Sequence, residues 1–417
     1  MSKNPLVIYR FLLFVFQSIL RLLGVISAKL KQFREVRKGL FQKLCEDLDP
    51  NKPVIWFHCA SLGEYEQGFP VMRQLKDQFT DHQLLVSFFS PSGYEVKQND
   101  PFIDVITYLP IDTAKNARQF IQISQPQLAV FVKYEIWPNF IKTLHQQQVP
   151  AYLISALFNK EQVFFQPYGK WMRAYLKRFD LIFVQDRSSY QLAKKMGLHQ
   201  LKISGDTRYD RVYYQTQLPN DLTFMDDFVQ GQFCLVIGSS WPEDEQVFMD
   251  YVDQAEHKVV IAPHRVKSQA MSDLKSRLTK SYALYSTWDK AQDADKPILI
   301  VDTVGLLTKV YAYADLAYVG GGMGDKGLHN ILEPAAFGLP VIFGKNHKGF
   351  PEAEALIKAN AGFSIASAER FYQLAEEFYQ DKNKRSNAGK NALDLINARK
   401  GATKMICKDL AENLSTY

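Results

Sequence analysis

Short apolar runs alternate with helix-like segments along most of the chain after Pro53. In the first half, runs typical of buried strands cover residues 54–59, 84–89, 105–109, 128–132, 151–154, 181–184 and 201–204. The segments between them, such as 66–79 and 114–123, space their apolar residues as helices do. Alternation of this kind predicts a mainly parallel sheet with helices on both faces.

A second series of apolar runs follows a polar stretch. Residues 213–227 read YYQTQLPNDLTFMDD, which predicts a linker. The alternation then resumes at 233–237, 258–262, 298–301, 316–319 and 340–343. Because 417 residues exceed what one core usually accommodates, we predict two Rossmann-like α/β domains, residues 31–215 and 216–417, which face a central cleft at the carboxyl ends of their strands.

The N-terminus departs from the pattern of a plain globular enzyme. Residues 6–28 read LVIYRFLLFVFQSILRLLGVISA, a length that crosses a bilayer, although Arg10 and Arg21 interrupt it. Lysines and arginines are dense over the next 15 residues. We therefore predict that residues 1–30 form a membrane anchor or an interfacial helix, with the remainder on the cytoplasmic side of the inner membrane. A buried helix of the first domain is the alternative.

Composition excludes several other classes of protein. A hydrophobic share of 47% and a charged share of 23% are those of a folded protein, which excludes wholesale disorder. The net charge of +6 suits an anionic membrane or substrate but is too small and scattered for a nucleic-acid partner. The four cysteines are far apart and form no CxxC pair, which favours free thiols over a disulfide scaffold or a zinc site.

Charged side chains follow three of the predicted strands in the first half. Glu64 begins a helix after the strand 54–59, and Glu135 follows the strand 128–132. Two carboxylates on one rim of a parallel sheet suit acid–base chemistry. Arg208, just past the strand 201–204, is a cation suited to neutralising an anionic leaving group.

Each of these three charges also has a structural interpretation. A glutamate is favoured at a helix N-terminus by the helix dipole, which alone accounts for Glu64. Glu135 lies two residues from Lys133 and pairs with it in the simplest alternative. For Arg208 the alternative is a salt bridge to Asp206 or Asp210.

The second half places small and polar residues at its strand ends. The run 235–240 is a strand that ends in the small hydroxylated residues Ser239 and Ser240, and such turns offer N–H groups to phosphate. Residues 320–334 read GGGMGDKGLHNILEP and include a GxGxxG string. A nicotinamide cofactor is nonetheless rejected, because the acid expected after the next strand is missing. Glu333 better suits the ribose of a mononucleotide.

In order, these segments resemble the family of 3-deoxy-D-manno-octulosonic acid (Kdo) transferases. The segments are HCASLGE (58–64), KYEIWPN (133–139), GDTRYD (205–210), GSSWPEDEQ (238–246), APHR (262–265), DTVGLL (302–307), YADLAYVGGG (313–322) and GLHNILEPAAFGLPVIFG (327–344). The resemblance covers nearly the whole chain. The SLGE and EIWPN segments are its most specific parts, whereas the C-terminal pattern is shared by many GT-B glycosyltransferases.

The resemblance implies an inverting GT-B glycosyltransferase that moves Kdo from CMP-Kdo to a lipid A precursor in lipopolysaccharide core biosynthesis, with no cofactor and no metal. It implies that Glu64 is the catalytic base and that Glu135 and Arg208 stabilise the transition state. The CMP contacts that it implies are Pro263, His264, Arg265, Val304, Gly305, Leu306, Asn330, Ile331, Leu332 and Glu333; Ser239 and Ser240 are added as possible phosphate contacts.

This sequence departs from the family pattern at three positions. The turn that usually reads P-R-H is Pro263-His264-Arg265, which leaves open whether His264 or Arg265 meets the phosphate. Leu306 replaces an acid, and Gly349 stands where asparagine is common. Two other functions stay open at this point: another GT-B enzyme, such as a UDP-sugar transferase or a nucleotide-sugar epimerase, and a non-catalytic nucleotide-sugar binder at a membrane.

Overall fold

The computed structural model describes Tyr9, Leu13, Val15 and residues 27–266 and 269–415. The predicted membrane segment, residues 1–30, therefore lies almost wholly outside the described residues. Within the described part, no helix is both long enough and apolar enough to cross a membrane.

The chain divides into two compact units. The first contains Met1–Arg211 together with Lys400–Tyr417, and the second contains Val212–Arg399. The sequence predicts that all residues after 215 belong to the second domain. In the structure, the C-terminal residues Lys400–Tyr417 belong to the first unit instead.

The first unit is built on a parallel sheet, whose strands in the described residues are β1 (Val54–Cys59), β2 (Gln83–Phe88), β3 (Val105–Tyr108), β4 (Pro126–Val132), β5 (Ala151–Ala156), β6 (Leu181–Val184) and β7 (Leu201–Ile203). Their order is β3-β2-β1-β4-β5-β6-β7. Every residue of β1 is buried, as expected for an apolar strand covered on both faces. The predicted parallel sheet is confirmed, with strand ends within two residues of those read from the sequence.

Helices precede and connect these strands. They are α1 (Ala28–Glu35), α2 (Leu40–Asp47), α3 (Leu62–Gln78), α4 (Pro91–Lys97), α5 (Ala114–Ser124), α6 (Pro138–Gln146), α7 (Arg173–Leu176), α8 (Arg187–Lys195) and α9 (Thr207–Thr216). Two apolar clusters pack on the two faces of the sheet, one around Trp56 and Phe131 and the other around Phe57 and Val130. The alternation of side chains along β1 and β4 thus supplies both cores.

The N-terminal segment makes one described polar contact with the first unit. The Tyr9 hydroxyl donates to Oδ2 of Asp112 at 2.7 Å, and its ring lies 5.4 Å from that of Trp171. Asp112 also accepts from the backbone N–H groups of Asn139 and Phe140 at the start of α6. Burial is the main influence on the Asp112 carboxyl and raises its pKa to about 6.

The second unit contains another parallel sheet. Its strands in the described residues are β8 (Cys234–Ser240), β9 (Lys258–Pro263), β10 (Tyr282–Leu284), β11 (Ile298–Ile300), β12 (Leu316–Val319), β13 (Val341–Gly344) and β14 (Gly362–Ile365), in the order β10-β11-β9-β8-β12-β13-β14. The sequence did not predict β10 and β14, because three or four residues with few β-branched side chains give no recognisable period.

Helices of the second unit are α10 (Thr223–Val229), α11 (Pro242–Gln254), α12 (Gln269–Arg277), α13 (Lys290–Asp293), α14 (Leu307–Val310), α15 (Leu332–Ala336), α16 (Pro351–Lys358), α17 (Ala368–Gln380) and α18 (Lys382–Arg399). The prediction of a linker at 213–227 was wrong, because α9 and α10 occupy most of it. In α10, Met225 and Phe228 are fully buried and pack the helix against the second unit. The sequence did not reveal this helix, because most of the other residues in the segment are polar.

The last helix, α19 (Ala402–Leu414), packs on the first unit. Its apolar face contributes Ile406 and Leu410 to the cluster that contains Val71 and Leu75 of α3. Asp210 caps this helix from a distant part of the chain, accepting from the N–H of Gly401 at 2.6 Å and of Thr403 at 3.0 Å. Asp210, the second acid of the GDTRYD segment, therefore satisfies two N–H groups that a helix start leaves without an intrahelical acceptor.

We expect Asp210→Ala to lower the free energy of unfolding by about 1–2 kcal/mol, the usual cost of removing a helix cap. Chemical denaturation followed by circular dichroism measures the loss. Lys404→Ala, at an exposed position on the same helix, is the control and is expected to change stability by less than about 0.5 kcal/mol. Equal stability of the two variants would show that the cap is not needed.

Candidate active site

The middle of the first sheet is where its strand order reverses. Strands β1 and β4 are hydrogen-bonded neighbours there, with His58 opposite Phe131. Ligands of open parallel sheets bind outside the carboxyl ends of strands at such a reversal. Glu64, at the start of α3, follows β1, and Glu135 follows β4. The structure thus brings both predicted acids to the reversal point.

Glu64 is half-buried in the first turn of α3. The hydroxyl of Ser61, the residue before the helix, donates to Oε2 of Glu64. Burial raises the pKa of the neighbouring Cys59 thiol, and the charges of Glu64 and Glu135 add to that shift. Both carboxylates therefore lie within electrostatic range of the same buried thiol.

Glu135 is held by aromatic neighbours. The indole Nε1 of Trp137 donates to its Oε2 at 2.8 Å, and Nε2 of His58 lies 3.4 Å from the same oxygen. The side chain of Glu135 is only 16% exposed. No described ion pair joins it to Lys133, whose ammonium lies over the ring of Tyr134 instead. The surface-pair interpretation of Glu135 was therefore wrong.

Arg208 forms a two-pronged ion pair with Asp206. Its Nε and one terminal nitrogen donate to Oδ2 of Asp206 at 2.9 and 2.7 Å. The salt bridge that the sequence offered as an alternative is thus present. Burial raises the pKa of Tyr134, with Glu64 raising it further and Arg208 opposing the shift. Tyr134 therefore lies within electrostatic range of both Glu64 and Arg208.

In the second unit, β8 and β12 are the neighbours at the reversal of strand order. Asp244, in the first turn of α11, joins the segments that follow them. Its carboxylate accepts from the N–H of Trp241 at 2.9 Å, the N–H of Gly321 at 2.8 Å and the hydroxyl of Tyr318 at 2.7 Å. Three donors on a fully buried carboxylate fix the start of α11 to the glycine segment.

The glycine segment needs its glycines because backbone passes close to backbone. A Cβ on Gly320 would lie 2.4 Å from the carbonyl oxygen of Ser239, and Gly321 has a φ of +90°. Ser239 itself has a φ of +53°, a conformation that is uncommon for a side-chain-bearing residue. The hydroxyl of Ser240 is buried and has no hydrogen-bond partner in the described part of the chain.

A stack of aromatic rings stands beside this turn. The His264 ring lies 4.5 Å from the rings of both Trp241 and His329, and Nε1 of Trp241 donates to Nε2 of His329 at 2.8 Å. Burial lowers the pKa of His329 to about 4, and burial with the charge of Arg265 lowers that of His264. Both imidazoles are therefore neutral at pH 7, whereas the Arg265 guanidinium, 4.9 Å from the Trp241 ring, remains a cation.

A cavity of about 260 Å³ opens next to the stack. Its lining includes Ser240, Trp241, Pro263, Arg265 and Lys326, at the N-terminal end of α11. Arg265, Lys326, an unpartnered hydroxyl and a helix start favour an anionic group such as a phosphate, whereas Glu243 and Glu245, which also line the cavity, oppose it.

The predicted CMP contacts at 330–333 divide into two groups. Glu333 accepts from Nδ2 of Asn330 at 3.0 Å and from the hydroxyl of Thr308 at 3.1 Å, and it remains partly exposed. Ile331 and Leu332 are fully buried, backbone included, so the structure exposes neither residue to a ligand.

The D-T-x-G turn is open to solvent. Val304 is 85% exposed, and Gly305 has a φ of +100°. Leu306, the residue that replaces an acid, lies just before α14 and is partly buried against an apolar cluster.

Sequence reasoning missed three residues that shape these two regions. His58, Trp241 and Asp244 were quoted within motifs but were given no role. An aspartate three residues after Trp241, at the beginning of a helix, is a recognisable capping signal. His58 offered no such signal, because its partners are Ser87 of β2 and Glu135 in the loop after β4, both distant in the sequence.

Comparison with known proteins shows similarity to transferases of 3-deoxy-D-manno-octulosonic acid. The family model described as 3-deoxy-D-manno-octulosonic-acid transferase (kdotransferase) matches residues 32–211. The 3-deoxy-D-manno-octulosonic acid transferase of Aquifex aeolicus is 26% identical over 339 residues, which cover 79% of this chain and 87% of the relative. That of Haemophilus influenzae is 25% identical over 413 residues, or 92% of each chain.

Among solved structures, the UDP-GlcNAc 2-epimerase of Neisseria meningitidis bound to UDP-GlcNAc matches with a TM-score of 0.62 at 13% identity, covering 88% of this chain and 100% of that one. At this identity the likeness shows the fold alone. Two parallel seven-stranded sheets, each described here with its helices, place the chain in the GT-B class. Within that fold class, the chain is similar to Kdo transferases: the family model matches residues 32–211, and the Aquifex and Haemophilus relatives align with 79% and 92% of the chain.

We expect Glu333→Ala to weaken CMP binding by about 1–3 kcal/mol, because a hydrogen bond to a charged group is lost. Calorimetric titration with CMP measures the change. The matched control is Glu369→Ala, at an exposed position of the same unit, which is expected to bind CMP normally. An unchanged affinity in Glu333→Ala would show that the nucleotide lies elsewhere.

Proposed function

We propose that this chain transfers Kdo from CMP-Kdo to a lipid A precursor, in lipopolysaccharide core biosynthesis. The observation that carries the proposal is the likeness to the Haemophilus transferase over 92% of both chains. The grouping of Glu64, Glu135 and Arg208 at one edge of the first sheet supports a catalytic role. The relatives named above are transferases, which favours transfer over the epimerase chemistry of the structural neighbour.

In the proposed reaction Glu64 is the general base. Its carboxylate takes the proton of an acceptor hydroxyl, whose oxygen forms a bond to the anomeric carbon of Kdo. The bond from that carbon to the phosphate oxygen of CMP breaks, and CMP leaves from the opposite face with the electron pair. The configuration at the anomeric carbon is therefore inverted. The hydroxyl of Ser61 donates to the Glu64 carboxylate and thereby orients it.

Glu135 and Arg208 are proposed to stabilise charge in the transition state. Positive charge develops on the sugar ring as the bond to CMP breaks, and a fixed carboxylate favours it. The departing phosphate gains negative charge, which Arg208 neutralises. Because two nitrogens of the Arg208 guanidinium donate to Asp206, the orientation of the guanidinium is fixed before the donor binds.

The second unit is proposed to bind the CMP part of the donor. Glu333 accepts from the ribose, and the phosphate lies at the cavity that contains Ser240 and Arg265. The lowered pKa of His264 makes Arg265 the cation of that pair at pH 7. We therefore assign the phosphate contact to Arg265 and a stacking role to His264.

We further propose that residues 1–30 hold the enzyme at the cytoplasmic face of the inner membrane. The support is the apolar sequence of 6–28 and the basic residues that follow it. A lipid acceptor is collected from a membrane surface more efficiently by an enzyme that is itself concentrated there.

The central test is incubation with CMP-Kdo and lipid A precursor, with product mass measured by mass spectrometry. Glu64→Gln preserves the shape of the side chain but cannot accept the proton, so turnover is expected to fall by about 10²–10⁴-fold. CMP affinity and melting temperature are expected to change little.

Glu66→Gln is the control for Glu64→Gln, because Glu66 lies on the same helix and pairs with Arg211 and Lys97. Its turnover is expected to stay near that of the wild type. A helix-dipole role for Glu64 predicts the reverse, a stability loss of about 0.3–1 kcal/mol with normal turnover. Normal turnover in Glu64→Gln would show that Glu64 is not the base and would leave Glu135 as the candidate.

Removal of residues 1–28 is expected to give a more soluble protein that keeps its fold but is less active on micellar lipid. Detergent partitioning and circular dichroism measure the two properties. Tyr9→Phe, which removes only the hydrogen bond to Asp112, separates that contact from membrane association. Unfolding of the truncated protein would show that the segment is a buried helix of the first unit.

A further inference from the structure

A chain of buried polar groups runs through the first sheet to Glu135. Trp56 and His58 lie two residues apart on β1 and therefore on the same face, and Ser87 of β2 is opposite His58 in the register. All three side chains are fully buried. Ser87 Oγ lies 2.8 Å from Nε1 of Trp56 and 3.0 Å from Nδ1 of His58.

These contacts limit where the hydrogen atoms can lie. An indole Nε1 is only a donor, so Ser87 Oγ accepts from Trp56. The hydroxyl hydrogen of Ser87 then has two acceptors, Nδ1 of His58 at 3.0 Å and the carbonyl of Phe57 at 3.5 Å. The shorter contact favours Nδ1 as the acceptor, whereas the carbonyl oxygen of Ser87, 3.1 Å from Nδ1, would accept from the opposite tautomer. The surroundings of Nε2 therefore decide between the two tautomers.

Nε2 of His58 faces Glu135. It lies 3.4 Å from Oε2, longer than a well-formed hydrogen bond, and it has no other polar partner in the described part of the chain. The opposite tautomer would direct a nitrogen lone pair at a carboxylate and leave the contact repulsive. Trp137 donates to the same oxygen at 2.8 Å, so both N–H groups converge on Oε2.

We propose that His58 is a positioning residue, whose Nε2–H, set by Ser87 and Trp56, orients Glu135 for the transfer reaction. Because Trp137 and His58 both lie beside Oε2, Oε1 of Glu135, which accepts no hydrogen bond from the described residues, is left for the substrate. Glu135 contacts the reacting sugar only if the proposed function is correct, so the catalytic part of the inference rests on the proposed function. The tautomer of His58 is independent of the proposed function.

Nuclear magnetic resonance of the full chain labelled with ¹⁵N-histidine tests the tautomer directly. The His58 signals are assigned by their loss in His58→Gln. We expect a protonated Nε2 and an unprotonated Nδ1 in the wild type, and a shift of the Nε2 signal in Glu135→Gln. A protonated Nδ1 with an unprotonated Nε2 in the wild type, or His58 signals that ignore Glu135→Gln, would overturn the proposal whatever the activity.

Kinetics test the consequence. In Ser87→Ala the imidazole loses its donor, and Nδ1–H is expected to turn to the carbonyl of residue 87, 3.1 Å away. We expect kcat to fall by about 10- to 100-fold, the worth of a hydrogen bond to a charged group, with KM for CMP-Kdo little changed. Ser87→Thr restores the hydroxyl and is expected to recover most of kcat.

Ser124→Ala, at a buried serine of α5 whose hydroxyl bonds only its own helix, is the matched control for buried serine loss. A kcat in Ser87→Ala equal to that of Ser124→Ala, with the tautomer changed, would overturn the positioning role. A wild-type enzyme that shows the expected tautomer but transfers no Kdo would overturn the proposed function and leave the His58–Glu135 contact standing.

Discussion

Parallel strand pairing is the constraint on which the rest of this structure depends. In each unit all strands run the same way, so every carboxyl end reaches the same edge of its sheet. At the reversal of strand order, the two central connections leave in opposite directions and free the space above the strands. Glu64 and Glu135 flank that point in the first unit, and Ser240 and Gly320 flank it in the second.

Three acids, of which Asp112 and Asp244 are fully buried, hold the starts of helices in place. Asp112, Asp210 and Asp244 each accept backbone N–H groups at the start of a helix, from α6, α19 and α11 respectively. A carboxylate held by several N–H donors fixes backbone position more firmly than apolar packing, because hydrogen bonds are directional. The polar residues nearby are therefore supported by rigid turns, which suits a site that must be organised before its ligand arrives.

Local patterns in the sequence were enough to predict both parallel sheets, although not the short strands β10 and β14. β1, β6 and β12 were placed to the residue, because continuous apolar runs bounded by turns leave few alternatives. The positions of Glu64 and Glu135 followed from the same runs. Ion pairing was harder, since Arg208 had two equally near acids and only the structure shows that Asp206 binds it while Asp210 caps α19. The partner of Asp210 is 191 residues away, beyond any periodic signal.

The return of α19 to the first unit makes the second unit an insertion within it. As the polypeptide leaves the ribosome, residues 212–399 are all available before the first unit has received its final helix. Until residues 402–414 emerge, the apolar surface of α3 around Val71 and Leu75 lacks its cover. The second unit is thus the first to have its complete sequence during synthesis, and the N-terminal unit finishes last, the reverse of the usual order for a two-domain chain.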